Sequence, residues 1–217
     1  MSDQTKRKGI IFDMDNTLLQ SRIDFKAMKM DLFRYFVREQ VLPEEFTVEE
    51  HTTSTMIEYA RAKGLSAEHY EAAMKLAEKH ELAGMEGAGL EPGARELLEA
   101  LAERYMLVVI TNNSFAAAVK ALELTGIAGY FDLTIGREQM SALKPSPSGF
   151  LFALEQFSHI PAGEWISIGD AWIDGRASQD AGIAFISYRT SDDVMRAKRV
   201  APVGRLMELK DLHALIE

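Results

Sequence analysis

Asp13 and Asp15 stand one residue apart at the end of an apolar run, in IIFDMDNTLL over residues 10–19. Both are acids that ionise well below neutral pH, and crowding like charges costs free energy unless something offsets it. Three other places along the chain offer comparable polar groups. Thr111-Asn112-Asn113 follows MLVVI, Lys144-Pro145 precedes a helical stretch, and Gly169-Asp170 follows WISI with Asp174 four residues on. Taken singly, each has an ordinary structural use: a helix cap, a solvated lysine, a tight turn. Taken together they converge, because in an open parallel sheet the carboxyl ends of the strands line one crevice. Asp13, Asp15, Asp170 and Asp174 in one place call for a cation, and such oxygen donors suit Mg2+. Thr111, Lys144 and the backbone amides at the start of the helix after Asn112 then suit the free oxygens of a phosphate. One aspartate remains to attack phosphorus, and a second, two residues on, to move protons.

The elements that must position these residues are legible as two textures. Short apolar runs recur at Ile10–Phe12, Met106–Ile110, Leu133–Ile135, Trp165–Ile168 and Ile183–Ile186, with amphipathic stretches between them. That alternation predicts an α/β fold with a doubly wound parallel sheet, its strands buried on both faces. Helices are expected over Pro92–Arg104, Ser114–Leu124 with Gly126 as a stop, and residues 147–157 after Ser146-Pro147. Residues 20–85 carry helical texture only. Asp24–Gln40 has apolar residues at Phe25, Met28, Leu32 and Phe36, and these are expected to pack. Thr47-Val-Glu-Glu50 has the form of a capping box opening a helix to about Lys63. Ser66 caps a further helix to about Ala83, and the loop GMEGAGLEPG follows. The expected organisation is a core of residues 1–19 and 86–217, interrupted by an all-helical domain over 20–85.

Composition narrows the function classes. With 217 residues, 47% hydrophobic and 26% charged, the chain suits one globular core with an insertion. A net charge of −9 argues against nucleic-acid binding, which relies on basic patches. The absence of cysteine rules out disulfides and thiolate metal sites. No apolar run approaches the roughly 18 residues of a membrane helix, and the polar start MSDQTKRKG has no signal-peptide pattern. A cytoplasmic protein is expected, with no membrane partner.

Asp13-Met14-Asp15-Asn16-Thr17, Thr111-Asn112, Lys144-Pro145 and GDAWIDGRASQDAGI over 169–183 occur in that order. They resemble the four motifs of the haloacid dehalogenase-like (HAD) superfamily, and within it the phosphatases similar to phosphoglycolate phosphatase. The likeness covers residues 8–17 and 90–190, and the helical insertion matches the family's cap. Asn16 stands where a glycine is common, and asparagine tolerates unusual turn dihedrals. The resemblance implies a Rossmann-like core and a Mg2+-dependent phosphatase acting on a small phosphorylated metabolite. It implies Asp13 as nucleophile and Asp15 as general acid and base, Asp15 also lending its backbone carbonyl to the metal. It also implies Thr111, Asn112 and Lys144 at the phosphate, and Asp170 and Asp174 at the metal. Dehalogenases of the superfamily lack the acid two residues after the nucleophile, so its presence here implies an alkoxide leaving group.

Specificity in such proteins is implied to lie on the cap. Arg22, His51, Arg61 and Lys63 are the polar candidates there, although a solvated helix face accounts for each, and His159 suits a surface loop. The same core residues would serve a β-phosphoglucomutase-like phosphotransferase. A phospho-acceptor signalling module also gathers Asp, Thr and Lys around Mg2+, but needs no acid two residues after its acceptor. Neither the substrate nor the oligomeric state is written in the sequence.

Overall fold

The structure, a computed structural model, describes residues 8–216. The expected apolar runs all form strands. β1 (Gly9–Phe12) turns tightly into the two-residue β2 (Leu19–Gln20). Three helices follow, α1 (Phe25–Arg38), α2 (Thr53–Ala62) and α3 (Ala67–Met85), before β3 (Gly89–Leu90) pairs antiparallel with β2. Helices and strands then alternate: α4 (Ala94–Leu101), β4 (Met106–Ile110), α5 (Phe115–Leu124), β5 (Leu133–Ile135), α6 (Ser148–Gln156) and β6 (Trp165–Gly169). The chain closes with α7 (Trp172–Asp180), β7 (Ala184–Tyr188), α8 (Asp192–Ala197), β8 (Gly204–Leu206) and α9 (His213–Ile216).

Six strands form a parallel sheet in the order β5-β4-β1-β6-β7-β8. The chain runs outward from β1 to β4 and β5, then crosses back to β6 and runs outward the other way. The order therefore reverses at β1, and a crevice opens where the connections diverge. Both faces of the sheet are covered. Ile10 and Phe12 pack with Leu107, Val109 and the helices α4 and α5. Ile11 packs on the opposite face with Met106, Val108 and Trp165, under α6 and α7.

The local signals worked where caps were clear. Asp24, Ser66 and Ser114 each accept a backbone N–H in the first turn of α1, α3 and α5. Asn16 adopts a left-handed φ of 56° in the turn between β1 and β2. Two expected starts move. The helix expected from Thr47 is only a 3-10 turn, Val48–Glu50, and α2 begins at Thr53. Thr52 and Thr55 form the better reciprocal cap, at 2.9 and 3.1 Å, while the Lys29 ammonium holds the carbonyls of Val48 and His51 across the break. Pro92 falls outside α4, because Gly93 turns left-handed at φ 81° before the helix starts at Ala94. Phe25 also departs from expectation: Met28, Leu32 and Phe36 are buried, but Phe25 is 39% exposed. None of the described helices is long and apolar enough to cross a membrane.

Gly9 is a packing requirement. A Cβ there would lie 2.2–2.4 Å from the Trp165 ring, which is fully buried on the neighbouring strand. Gly9→Ala is therefore expected to destabilise the fold by about 1–3 kcal/mol through overpacking. A urea titration checks it, and an unchanged midpoint refutes the assignment.

Candidate active site

β1, β4 and β6 lie side by side, so the residues that follow them meet at one rim. Asp13 continues β1, its N–H donating to the Ile168 carbonyl at 2.9 Å. Thr111 follows β4, its N–H bonded to Ile135 at 3.0 Å and its hydroxyl accepting the Asn113 N–H at 3.1 Å. Asp170 follows β6, its carbonyl taking the Thr190 hydroxyl. Asp174 enters from the first turn of α7, its carboxylate accepting the Ala171 N–H at 3.1 Å. Gly169 makes that approach possible, since a Cβ there would lie 2.6–2.7 Å from the Asp174 side chain.

Lys144 is the hub. Its ammonium, almost wholly buried, donates to Asp13 Oδ1 and Asp174 Oδ1 at 2.6 Å each and to the Ile110 carbonyl at 2.9 Å. Burial alone would depress its pKa, but the two carboxylates outweigh burial and hold it charged, above its ordinary value. Asn112 fixes the Lys144 backbone reciprocally, accepting its N–H at 2.8 Å and donating to its carbonyl at 3.1 Å, beside a cis Lys144-Pro145 peptide.

Asp13, Asp170 and Asp174 place one carboxylate oxygen each within 4.8 Å of one another. One ammonium does not neutralise three such acids. Burial, against the pull of Lys144, pushes Asp13 well above the usual carboxylate range, with Asp174 and Asp170 adding repulsion. Burial and Asp174 raise Asp170 to about 7. A hard cation held among the three oxygens would oppose both shifts, and carboxylate donors suit Mg2+ as they do Ca2+ and Mn2+. The residues present fit the ion.

Asp15 stands apart from that trio. Asn113 donates to its Oδ2 at 2.7 Å, while Oδ1 is buried and makes no hydrogen bond. Burial raises its pKa, opposed by the adjacent Ser21 hydroxyl and by Asn113. Asn113 is a residue the sequence reading quoted without giving it a role, although it closes the triplet Thr111-Asn112-Asn113.

Above the rim, helices α1–α3 complete a cavity of about 490 Å³. Asp13, Asp15, Thr111, Asn112, Lys144, Asp170 and Asp174 line one end of it. Of the polar candidates on the helical segment, His51 lines the cavity. Arg61 instead bonds Glu58 and the Ser141 carbonyl, and Lys63 sits over the Tyr59 ring. Arg22 is exposed, and His159 lies against Phe157.

A second ion pair ties the helices to the rim. Glu81, on α3, meets Arg137, in the loop after β5, at 2.6 Å with both side chains buried. Glu81 also accepts the Ser114 N–H at 2.9 Å, and Arg137 donates to the carbonyls of Met74 (2.9 Å) and Asn112 (3.4 Å). Burial raises the Glu81 pKa, and Arg137 opposes the rise. The sequence signal was present but unused: Ala73, Ala77 and Glu81 are four residues apart, which puts an acid on the buried stripe of α3.

Comparison with known proteins places this geometry in a family. Residues 10–188 match the family model for haloacid dehalogenase-like hydrolases. The chain belongs to that family and is an enzyme of the HAD hydrolase class. Among its relatives, pyrophosphatase PpaX of Listeria monocytogenes is 28% identical over 180 residues, covering 79% of this chain and 78% of that protein. A phosphoglycolate phosphatase of Rhodobacter capsulatus is 31% identical over 105 residues, covering 48% and 47%. Among solved structures, the HAD hydrolase YfnB of Bacillus subtilis, bound to magnesium, shares the fold with a TM-score of 0.65 at 19% identity, covering 98% of this chain and 99% of that one.

The Glu81–Arg137 pair gives a direct test of how the helices are held. Arg137→Met alone leaves a buried carboxylate unpaired and is expected to cost about 3–5 kcal/mol. Adding Glu81→Gln removes the stranded charge and should recover part of the loss. Denaturant titration of the three proteins measures this, and a double variant no more stable than Arg137→Met refutes it.

Proposed function

We propose that the protein is a Mg2+-dependent phosphatase that hydrolyses a small phosphorylated metabolite in the cytoplasm, through a phosphoryl group carried on Asp13. The observation that carries this reading is the unequal treatment of two carboxylates two residues apart. Asp13 is aimed by Lys144 into the acidic trio, whereas Asp15 stands outside the trio, held by Asn113 at one oxygen while the other makes no hydrogen bond. One is placed to attack, the other to exchange a proton. The family membership and the phosphatase names among the relatives support it.

In this mechanism an Asp13 oxygen forms a bond to phosphorus as the phosphorus–alkoxide bond breaks. Asp15 delivers its proton to the departing oxygen. Asp15, now ionised, then takes a proton from the water that attacks the phosphoryl group, and free Asp13 and phosphate result. The Thr111 hydroxyl and the Asn112 amide hold the phosphoryl oxygens, and Lys144, whose protons go to Asp13, Asp174 and Ile110, attracts them by its charge. Asp13, Asp170, Asp174 and the Asp15 carbonyl would hold the metal, whose charge stabilises the developing negative charge. Proton transfer of this kind supplies roughly 10²–10⁴ in rate. Phosphate-monoester hydrolysis needs far more, so fixed charge carries a large share. Residues 20–85 act as the cap that closes over the substrate, and residues 1–19 and 86–217 as the catalytic core.

Turnover of an aryl phosphate by the purified protein should require Mg2+ and stop in EDTA. Asp13→Asn should abolish it. Asp15→Asn should lower it by about 10²-fold or more, in keeping with the loss of general acid–base help. Wild-type turnover in Asp13→Asn would refute the assigned nucleophile.

A further inference from the structure

The two ends of the cavity differ in chemistry. The rim end holds the carboxylates, Lys144 and the Thr111 loop, and a phosphate with its cation fits there. The remainder carries apolar side chains from the helical segment and the loop before Lys144, Phe25, Met28, Ile57, Met74 and Leu143, interrupted by His51 and the Glu81–Arg137 pair. Phe25 stays partly exposed where the helix pattern would bury it, and it faces the same cavity. Lys26 and Lys29 line it too, three residues apart on α1. Lys29 binds only the carbonyls of Val48 and His51, and neither lysine pairs with an acid among the described residues. Thr52, Thr53 and Ser54 add hydroxyls at the start of α2.

A volume of about 490 Å³ is within the range of sites that enclose drug-sized ligands. Inorganic pyrophosphate or a two-carbon phosphate ester would occupy the rim and leave the apolar wall bare. A compact diacid drawn toward Lys26 or Lys29 would still leave the apolar side chains uncovered. A larger organic group gains by covering that wall. Its polar edge can then accept hydrogen bonds from the exposed Lys26 and from the ammonium proton that Lys29 does not give to Val48 or His51.

We propose that the substrate is a phosphomonoester whose leaving alcohol is a nucleoside-sized body, with an apolar face against Phe25, Met28, Ile57 and Met74 and a hydrogen-bond-accepting edge toward Lys26 and Lys29. The inference rests on the phosphatase reading and narrows it. The leaving group departs as a neutral alcohol once Asp15 has given it a proton, so no further reactant is needed.

The test compares kcat/KM, in Mg2+, for five probes: uridine 5′-monophosphate, 1-naphthyl phosphate, phenyl phosphate, phosphoglycolate and pyrophosphate. The expected result is that the uridine and naphthyl esters exceed phosphoglycolate and pyrophosphate by at least about tenfold, the scale set by covering one or two apolar side chains. Thr53→Trp, which narrows the cavity from a half-buried position, should shrink that ratio. Lys26→Gln should lower the uridine-to-naphthyl ratio, since naphthalene has no acceptor edge. Phosphoglycolate or pyrophosphate turned over as well as the bulky esters would overturn the proposal. So would ratios unmoved by both variants while each protein keeps the wild-type denaturation midpoint. If none of the five, including phenyl phosphate, is hydrolysed, the phosphatase reading itself has failed. Turnover without the size preference sinks the narrower inference alone.

Discussion

A single ammonium makes the acidic rim compatible with a folded chain. Lys144 sits between Asp13 and Asp174 with both contacts at 2.6 Å, in a place water hardly reaches. Without it, several buried carboxylates would face one another with no internal counter-charge, and burial would force them to take up protons. Its backbone is clamped by Asn112, whose own position follows from the end of β4, and its head is steadied by the last carbonyl of the same strand. Aim and charge thus come from one residue held from two directions. Asp13 is thereby fixed by the protein's own groups, its N–H on the Ile168 carbonyl and its carboxylate on Lys144.

The sheet order explains why the rim forms at all. β1 has β4 on one side and β6 on the other, so three strand ends that are far apart in sequence lie adjacent. The helices α1–α3 are then fastened to this rim rather than merely resting on it. Glu58 accepts the Leu143 N–H beside Lys144, and Glu81 with Arg137 reaches both the start of α5 and the Asn112 carbonyl. The contacts that hold the helices therefore touch the same loops that present Thr111, Asn112 and Lys144.

Most of the strand pattern, and the polar residues that the structure gathers at the rim, were legible in the sequence. Buried parallel strands leave continuous apolar runs, and their polar successors, such as Asp13 and Asp170, stand out against them. What escaped reading had weak local signals. β2 and β3 are two residues each, too short to show a period, and β8 has an exposed Arg205 at its centre. The start of α2 was misplaced because Thr47 and Thr52 offer competing caps, and the reciprocal Thr52–Thr55 cap and the Lys29 bridge to Val48 and His51 both favour the later one. Glu81 and Arg137 are 56 residues apart, and their pairing depends on tertiary packing that no local pattern encodes.

The short ladder of β2 with β3 has a consequence for the length of chain between them. Leu19 lies opposite Leu90, so the chain leaves the sheet layer and returns to it at adjacent points. Viewed from the sheet, everything between is a side branch with a pinched stalk. Replacing that branch with another of different length leaves the register of all six parallel strands intact, and closing a longer branch adds little entropic cost. The branch can therefore vary in length without disturbing the sheet, and its ties through Glu58, Glu81 and Arg137 bind it to the rim.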